Sequence, residues 1–268
     1  MNSYTEAALQ AARSAPRLFD LSGRTAVVIG GTKGLGQAMA LAIAGAGAKV
    51  CVASRGPQGF DETREALHSL TDNLFEVASL DATDEERVGQ FFTDVKAQFG
   101  SVDILVNSQG IVRLGPSETF SLDDWQDVMD VNLKSVFLCC KHGVAPMLEN
   151  GWGRIINVSS VRGFQGRSED SAYAPSKGAV NQLTRSLAIE WGARGVTVNA
   201  LAPVFTKTAI SEDFLKDEHK KQWVLGRIPL GRLGQLSDVM GPVIFLASEA
   251  SCFVNGHVLL VDGGWVAA

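Results

Sequence analysis

The chain has 268 residues, a length that suits one large α/β domain or two small ones. Apolar residues make up 46% and charged residues 20%, which allows a substantial buried core and excludes a disordered chain. The formal net charge of −5 gives no general attraction for nucleic acid or for an anionic membrane surface. No segment is apolar over the roughly 18 residues that a membrane span needs, so we predict no membrane insertion.

Cysteine and histidine usage indicates neither a metal centre nor a disulfide framework. Four cysteines stand at Cys51, Cys139, Cys140 and Cys252 without CxxC spacing, and the four histidines form no HExxH pattern. Buried, reduced thiols of a cytoplasmic protein are the expected state. We therefore predict a cytoplasmic location and no metal.

Residues 1–17 are rich in alanine and have a helical tendency, but they lack the apolar core of a signal peptide. We expect an N-terminal extension over residues 1–17, followed by a single domain over residues 18–268.

Short β-branched runs alternate with longer segments of helical period from residue 24 onward. Strands are predicted at 24–29, 49–53, 74–80, 102–106, 154–158, 196–200 and 258–261. Helices are predicted at 34–47, 58–70, 84–99, 123–147, 171–193 and 236–248, the fourth of them capped by Ser121. This alternation predicts a doubly wound, Rossmann-like α/β fold, with a parallel sheet of about seven strands covered by helices on both faces.

One long irregular stretch, residues 203–229, interrupts this pattern. A loop of that length in a compact domain is usually a lid or a binding segment, so we expect it to contact the substrate. We expect its run of charges at 216–221 to be a solvated helix face.

A glycine-rich turn joins the first strand to the first helix. Glycine lets the backbone turn sharply and approach a pyrophosphate, whose charge the amides at a helix start favour. A glycine cluster alone is a weak signal, but here an apolar strand precedes it and an alanine-rich helix follows. We predict that the turn binds a dinucleotide through Gly30, Thr32, Lys33, Gly34, Leu35 and Gly36.

The end of the second strand distinguishes NADP from NAD. An acidic residue there would bind the ribose hydroxyls of NAD and repel a 2′-phosphate, whereas this chain has Ser54 and Arg55. Arg55 can pair with a phosphate and Lys33 can add a second positive charge, although either residue alone is as compatible with an ordinary surface cation. Together they favour NADP over NAD.

Two further segments fall at the carboxyl edge of the predicted sheet, where such folds bind ligands. Asp81, which precedes Ala82, can accept a hydrogen bond from an adenine amine, or it can cap the next helix. Asn107 and Gly110 follow the fourth strand. All four are predicted cofactor-binding residues.

Tyr173 and Lys177 open a helix and, four residues apart, share one of its faces. Pro175 between them is tolerated only in a first helical turn, which places Tyr173 at the mouth of the helix. A nearby ammonium lowers the pKa of a phenol from its ordinary value of about 10. Tyr173 is therefore a candidate general acid for carbonyl reduction, or general base for alcohol oxidation.

Two polar residues can complete this centre. Ser160 follows the strand 154–158, and it either holds the substrate oxygen or simply ends the strand in a polar turn. Asn132 is an amide inside an apolar helical stretch and needs partners when it is buried. It either kinks the helix locally or organises water near Lys177.

These residues together resemble those of the short-chain dehydrogenases/reductases. Asn132, Ser160, Tyr173 and Lys177 match the Asn-Ser-Tyr-Lys tetrad of that family, including the spacing from serine to tyrosine. The glycine turn, residues 107–110 and the ending 261–264 match as well, and the resemblance runs from about residue 18 to the C-terminus.

The resemblance implies that a hydride passes between a nicotinamide and the substrate carbon. It implies that Tyr173 transfers the proton, that Ser160 orients the oxygen, and that Asn132 supports a proton relay. Lys177 would bind the nicotinamide ribose and tune Tyr173.

The residues after the sixth strand would also touch the cofactor, with Pro203 beside the nicotinamide and Thr208 on its carboxamide. Three features depart from the family pattern: Ile29 before the glycine turn, Ser108-Gln109 after the fourth strand, and Val204 after Pro203. They affect how the turn and the loop are braced, and none removes a catalytic group.

The substrate stays open between a ketone or secondary alcohol and a sugar acid. The chain resembles the branch of gluconate and deoxygluconate dehydrogenases, and similar features occur in ketoreductases and in 3-oxoacyl carrier-protein reductases. Arg162, two residues past Ser160, either faces a substrate carboxylate or is a surface arginine. The alternatives are an NAD-dependent sugar-acid dehydrogenase and a catalytically idle NADP-binding sensor, and the complete tetrad argues against the sensor.

The resemblance also implies a homodimer or homotetramer built on the helices 123–147 and 171–193. Leu138, Cys139 and Trp191 on these helices either face a partner subunit or belong to the core. The chain has no basic stripe, so no nucleic-acid partner is expected.

Overall fold

The fold is known from a computed structural model, which describes residues 3–208 and 214–268. Seven parallel strands form one sheet in the order β3-β2-β1-β4-β5-β6-β7. They are β1 (Thr25–Ile29), β2 (Lys49–Ser54), β3 (Phe75–Ser79), β4 (Ile104–Asn107), β5 (Gly153–Val158), β6 (Val196–Pro203) and β7 (Val258–Val261). The predicted seven-stranded parallel sheet is confirmed.

Nine α-helices are assigned within the described residues. They are α1 (Ser3–Ser14), α2 (Gly34–Gly45), α3 (Phe60–Leu70), α4 (Glu85–Phe99), α5 (Leu122–Met129), α6 (Ser135–Asn150), α7 (Tyr173–Gly192), α8 (Glu218–Leu225) and α9 (Met240–Ala247). Short 3₁₀ turns at Ala15–Phe19, Val161–Gly163, Leu236–Val239 and Glu249–Ser251 lie between them.

Two hydrophobic cores lie on opposite faces of the sheet, because successive strand residues point to opposite sides. Val27 and Ile29 of β1 belong to the core shared with α4, α6 and α7. Ala26 and Val28 of the same strand belong to the core shared with α2, α3 and α9. The strands are continuously apolar because both of their faces are buried.

The helix predicted over residues 123–147 is two helices, α5 and α6, joined by a single π turn at Asp130–Lys134. The π turn inserts an extra residue into the helical ladder, a feature that recurs at functional sites. The start of α5 is as predicted, since the Ser121 hydroxyl accepts a hydrogen bond from the Asp124 amide at 3.4 Å. Leu138, Cys139 and Trp191 all lie in the core.

The stretch 203–229, predicted to be irregular, contains the helix α8. The Asp217 carboxylate caps this helix by accepting hydrogen bonds from the amides of His219 and Lys220. Only Val224 of α8 is buried, which agrees with a solvated, charged helix face. Residues 209–213 of this stretch lie outside the described residues.

The N-terminal helix α1 has no buried residue, and the 3₁₀ turn that follows it is exposed as well. Among the described residues, no helix combines the length and apolarity that crossing a bilayer requires.

All four cysteines are free. Burial raises the pKa of Cys51 and of Cys140 to about 12, which keeps both as thiols. Cys252 is exposed, contrary to the expectation that all four are buried. Within residues 3–208 and 214–268 there is no cluster of His, Cys, Asp and Glu that could hold a metal ion.

Candidate active site

A cleft of about 510 Å³ runs along the carboxyl edge of the sheet, from the glycine turn after β1 to the start of α7. This edge is where doubly wound sheets bind their ligands, and the volume is in the range of small-molecule and cofactor sites. The structure brings most of the predicted site residues to this cleft. They are Gly30, Lys33, Gly34, Leu35, Gly36, Ser54, Arg55, Asp81, Ala82, Gly110, Ser160, Tyr173, Lys177, Pro203 and Thr208.

The glycine turn forms one end of the cleft. Gly30 and Gly34 have positive φ angles of 73° and 53°, which L-residues rarely adopt. A Cβ on Gly36 would overlap the Gly30 carbonyl oxygen, and one on Gly30 would lie 2.7 Å from the Gln109 amide nitrogen. The turn is therefore packed too tightly for side chains and exposes backbone amides at the start of α2, as a pyrophosphate requires.

Thr32 and Asn107 brace this end of the cleft from behind. The Thr32 hydroxyl lies 2.7 Å from the Ser54 hydroxyl and donates a hydrogen bond to the Gln58 carbonyl. The Asn107 amide is fully buried and donates to Asn157 Oδ1 at 2.9 Å. Neither residue is among those that line the cleft, and their contact with a cofactor stays a prediction.

The cations Lys33 and Arg55 are exposed on either side of the turn. Both line the cleft, and neither forms an ion pair with another described residue. No acidic residue follows β2, which ends at Ser54. Two unpaired cations beside a groove that fits a dinucleotide match the chemistry of a 2′-phosphate.

Asp81 lines the cleft beyond Arg55 and does not cap the next helix. Its carboxylate accepts hydrogen bonds from the amide and the hydroxyl of Thr83, which hold the pKa of Asp81 below its ordinary value. The cap of α4 is Asp84, which accepts from the Arg87 amide. Asp81 therefore stays a charged hydrogen-bond acceptor in this part of the cleft.

The residues Ser160, Tyr173 and Lys177 meet at the other end of the cleft. Ser160 follows β5, and its hydroxyl accepts a hydrogen bond from the Arg162 amide at 3.1 Å. The Ser160 hydroxyl is close enough to the Tyr173 phenol to act on its pKa, and both side chains line the cleft. The Lys177 ammonium lies 5.8 Å from the centre of the Tyr173 ring and donates to the Val158 carbonyl at 2.8 Å.

The pKa values at this centre depend mainly on burial. Burial raises the pKa of Tyr173, while the nearby Ser160 hydroxyl and the guanidiniums of Arg162 and Arg167 act to lower it. Burial also lowers the pKa of Lys177 to about 8. The expected lowering of the tyrosine pKa is therefore wrong for this chain, because burial outweighs the cations and the Lys177 ammonium is directed at a backbone carbonyl.

Asn132 lies in the π turn between α5 and α6 and is fully buried. Its Oδ1 accepts from the Ile111 amide at 2.8 Å, and its Nδ2 donates to the Ile111 carbonyl and to the Ser176 hydroxyl. It thus joins the segment after β4 to the first turn of α7. A Cβ on Gly110 would lie 3.4 Å from both Asn132 Oδ1 and Lys177 Nζ, so these two atoms flank the same glycine.

Several residues around the centre were not predicted from the sequence. Gln109 donates to the Ser135 hydroxyl at 3.0 Å, which braces the segment after β4 to α6. Arg167 and Asp170 line the cleft just before Tyr173, and Trp265 packs on the far side of Arg162. The sequence shows Arg167 and Asp170 three residues apart, but it does not predict the irregular loop that brings them to the cleft.

Comparison with known proteins agrees with this geometry. A family model described as enoyl-(acyl carrier protein) reductase, a branch of the short-chain dehydrogenases/reductases, matches residues 30–266. The chain belongs to the short-chain dehydrogenase/reductase family. It is accordingly an NAD(P)-dependent oxidoreductase that acts on CH–OH and C=O groups.

Individual members of the family resemble the chain over nearly its whole length. A 2-dehydro-3-deoxy-D-gluconate 5-dehydrogenase of Bacillus subtilis is 41% identical over 248 residues, which cover 92% of this chain and 96% of that protein. A gluconate 5-dehydrogenase of Gluconobacter oxydans is 38% identical, covering 94% and 98%.

A solved short-chain dehydrogenase/reductase has a similar structure. The gluconate 5-dehydrogenase of Burkholderia cenocepacia, crystallised with NADP and tartrate, superposes with a TM-score of 0.89 at 35% identity. The match covers 94% of this chain and 99% of that one.

Proposed function

We propose that the chain interconverts a sugar acid and its keto acid by hydride transfer with NADP, and that Tyr173 is the proton donor and acceptor. The observation that carries this proposal is that Ser160, Tyr173 and Lys177 line one end of a cleft whose other end is the glycine turn. NADP, when bound, supplies the hydride for reduction or accepts it in oxidation.

In reduction, Tyr173 gives its phenolic proton to the carbonyl oxygen of the substrate. Its raised pKa keeps the phenol protonated near neutral pH, as a general acid requires. In oxidation the same oxygen takes the proton of the substrate hydroxyl. The nearby guanidiniums of Arg162 and Arg167 favour the phenolate that proton loss produces.

Ser160 holds the substrate oxygen beside this phenol. One lone pair of its hydroxyl is engaged by the Arg162 amide, so the hydroxyl proton is available to the substrate oxygen or to Tyr173. Donors fixed in advance at the oxygen stabilise the charge that develops there.

Lys177 positions the neighbouring part of the cofactor. One of its three donors is fixed by the Val158 carbonyl, which leaves two for the ribose hydroxyls. Asn132 is a positioning residue whose bonds fix the segment after β4 against α7. The proposal includes a proton relay through Asn132 and Lys177, because both side chains flank Gly110.

We propose NADP over NAD because Lys33 and Arg55 offer unpaired charge where an NAD enzyme would have an acid. The solved relative with NADP supports this choice. The wild-type chain is expected to turn over D-gluconate with NADP and to use NAD poorly. Arg55→Asp should weaken NADP binding about 10- to 100-fold, the range of a lost charge-assisted hydrogen bond, and should leave NAD binding equal or improved.

The matched control is Arg194→Asp. Arg194 is an exposed arginine in the turn after α7, so this change should alter the binding of neither NADP nor NAD. Fluorescence titration with NADPH and NADH, together with steady-state rates, measures both effects. Equal affinity of the wild type for the two coenzymes would refute the NADP assignment. An absence of turnover with every sugar acid and ketone tried would favour the idle NADP-binding sensor instead.

We propose that the chain forms a homodimer or homotetramer in the cytoplasm. Ile189 on α7 is 85% exposed, and Phe253, whose segment packs against α7 through the bond from Asn255 to Ala188, is fully exposed. Two large apolar side chains on one side of the molecule suit a subunit interface. Light scattering that reports a monomer at micromolar concentration would refute the assembly.

The free cysteines support the proposed cytoplasmic location, because thiols stay reduced in that compartment.

A further inference from the structure

The guanidinium of Arg162 is buried with part of its hydrogen-bonding capacity unused. The residue is 8% exposed, in the 3₁₀ turn directly after Ser160. Its Nη1 donates to the Gly166 carbonyl at 3.3 Å, whereas its Nη2 is buried and has no hydrogen-bond partner among the described residues. Buried donors of this kind are almost always paired in proteins, so the free nitrogen points to a missing acceptor.

Aromatic packing holds this guanidinium in place, and it forms no ion pair with a carboxylate among the described residues. Its central carbon lies 5.6 Å from the ring centre of Trp265, which is 1% exposed and donates through its indole nitrogen to Gln165. The Asp262 carboxylate accepts from the amides of Gly264 and Val266 and so fixes the turn that carries Trp265. A planar cation on an aromatic face keeps its edge donors available for another group.

Positive charge exceeds negative charge around Arg162. The charged and titratable groups that act on its guanidinium are Arg167, Asp170, Arg227 and Tyr173. Asp170 is the one carboxylate among these, and it is shared: its Oδ1 accepts from the Ala174 amide and its Oδ2 lies 3.9 Å from Arg167 Nε. Three guanidiniums against one carboxylate leave an excess of positive charge that an anion can neutralise.

This charge lies at the reacting end of the cleft. Arg162, Arg167 and Asp170 line the same cleft as Ser160 and Tyr173. The apolar side chains of Val204, Phe205 and Phe214 line the cleft as well. A substrate with an anionic end therefore finds positive charge in this part of the cleft, next to the residue that holds its reacting oxygen.

We propose that Arg162 binds the carboxylate of the substrate and so determines the specificity of the enzyme for hydroxy and keto acids over uncharged alcohols and ketones. A carboxylate matches the fork of a guanidinium and supplies the acceptor that Nη2 lacks. Arg167 adds charge from the edge of the same site. The inference deepens the proposed function and rests on it for the reaction that follows binding.

The decisive experiment compares substrates that differ only in charge. D-Gluconate and D-glucitol are related by the replacement of a carboxylate with CH₂OH. The variant Arg162→Met keeps the apolar stem but loses the donors, and Arg162→Lys keeps the charge without the fork. KM and kcat are measured for both substrates with NADP, and calorimetry measures the binding of D-gluconate and of tartrate in the absence of turnover.

Arg162→Met is expected to raise the KM for D-gluconate at least tenfold and to weaken its binding equally. The affinity for NADPH and the KM for D-glucitol should stay within twofold of wild type, because neither involves a carboxylate at this position. Any fall in kcat caused by the loss of a guanidinium near Tyr173 should affect D-gluconate and D-glucitol equally. Arg162→Lys should recover part of the lost affinity for D-gluconate. The control is Arg194→Met, which changes an exposed arginine in the turn after α7 and should match wild type throughout. NADPH binding also verifies that each variant is folded.

The outcomes separate the two proposals. If D-gluconate binds and reacts equally well with wild type and with Arg162→Met, or if wild type binds neither carboxylate, the assignment of Arg162 is overturned. If the carboxylates bind in an Arg162-dependent manner but no sugar acid is turned over, Arg162 stands and the proposed function fails. If Arg162→Met does not fold, equal KM values for Arg162→Lys and wild type would overturn the assignment.

Discussion

At the scale of single residues, burial disfavours the charged forms of the two titratable side chains of the catalytic centre, Tyr173 and Lys177. Tyr173 is held as a neutral phenol and Lys177 carries its ammonium at a cost, since its residue is 4% exposed and its pKa falls to about 8. That ammonium donates a hydrogen bond to one backbone carbonyl, that of Val158. A buried cation with so little compensation is retained for its chemistry at the expense of stability.

This burial predicts a pH-dependent stability difference. The unfolded chain keeps the Lys177 proton up to the ordinary pKa of about 10.4, whereas the folded chain releases it near pH 8. Between these values the unfolded state binds more protons, so the free energy of unfolding rises with pH. Relative to Lys177→Met, the wild type should therefore gain stability between pH 8 and pH 10, while below pH 8 the difference stays constant.

Urea unfolding of both proteins at pH 7, 8, 9 and 10 measures this difference. Lys134→Met removes a half-exposed lysine and should show no such trend. A difference between wild type and Lys177→Met that stays flat across the whole range would contradict the account of Lys177.

Arg162 illustrates what a sequence can and cannot reveal about one residue. Its position two residues after Ser160 raised the hypothesis of a carboxylate ligand, but the sequence left a surface arginine equally open. The structure separates these alternatives by burial, since an 8% exposed guanidinium is no surface group. The partner that orients it, Trp265, is 103 residues away in the chain and becomes its neighbour only in the folded sheet.

At the scale of elements, the glycine turn and the start of α2 decide whether the cleft can accept a cofactor. The helix approaches β1 so closely that a Cβ on Gly36 would overlap the Gly30 carbonyl oxygen. A backbone carbonyl cannot move aside as the end of a flexible side chain can, so this close approach requires glycine at Gly36.

Gly36→Ala should therefore weaken NADPH binding strongly and lower the free energy of unfolding by about 1–3 kcal/mol, the usual effect of overpacking. Gly45→Ala, in the same helix, is the matched control, because its Cβ would meet only the Leu70 side chain at 3.8 Å. It should leave NADPH binding unchanged and raise stability by up to about 1 kcal/mol, since alanine favours helix. Fluorescence titration and urea unfolding measure both variants, and equal behaviour of the two would contradict the role of the turn.

The junction of α5 and α6 shows why an element boundary escaped the sequence. Residues 123–147 have continuous helical periodicity, so nothing in the pattern marks the π turn at Asp130–Lys134. The turn depends on bonds that Asn132 makes to Ile111 and Ser176, which are distant in sequence. Likewise the sequence predicts a charged helix face at 216–221 but not the bounds of α8, because this helix is polar and buries only Val224, which leaves no apolar stripe to detect.

At the scale of the whole molecule, the sheet was predictable because its strands are short and continuously apolar. Strand residues such as Val27 and Val28 serve the two cores in alternation, and this requires apolar side chains at every position. The positions of Ser160, Tyr173 and Lys177 followed from motifs at strand and helix ends. The charged wall of Arg162, Arg167 and Asp170 did not, because the irregular loop that contains it carries no periodicity.

The same organisation explains how one molecule can hold two ligands for one reaction. The carboxyl edge of a parallel sheet collects the glycine turn, the acceptor Asp81 and the catalytic centre in a single cleft. Cationic side chains lie at both of its ends, with Lys33 and Arg55 at one and Arg162 at the other. In the proposed reaction the protein contributes mainly by positioning the cofactor and the substrate next to each other, beside Tyr173.

The most direct test of this account is the rate of NADPH oxidation with 5-keto-D-gluconate by wild type and by Tyr173→Phe. Phenylalanine preserves the ring and removes the proton donor, so kcat should fall by roughly 10²–10⁴-fold. The affinity for NADPH should remain within twofold of wild type. A Tyr173→Phe enzyme that oxidises NADPH at the wild-type rate would contradict the assignment of Tyr173 as the general acid.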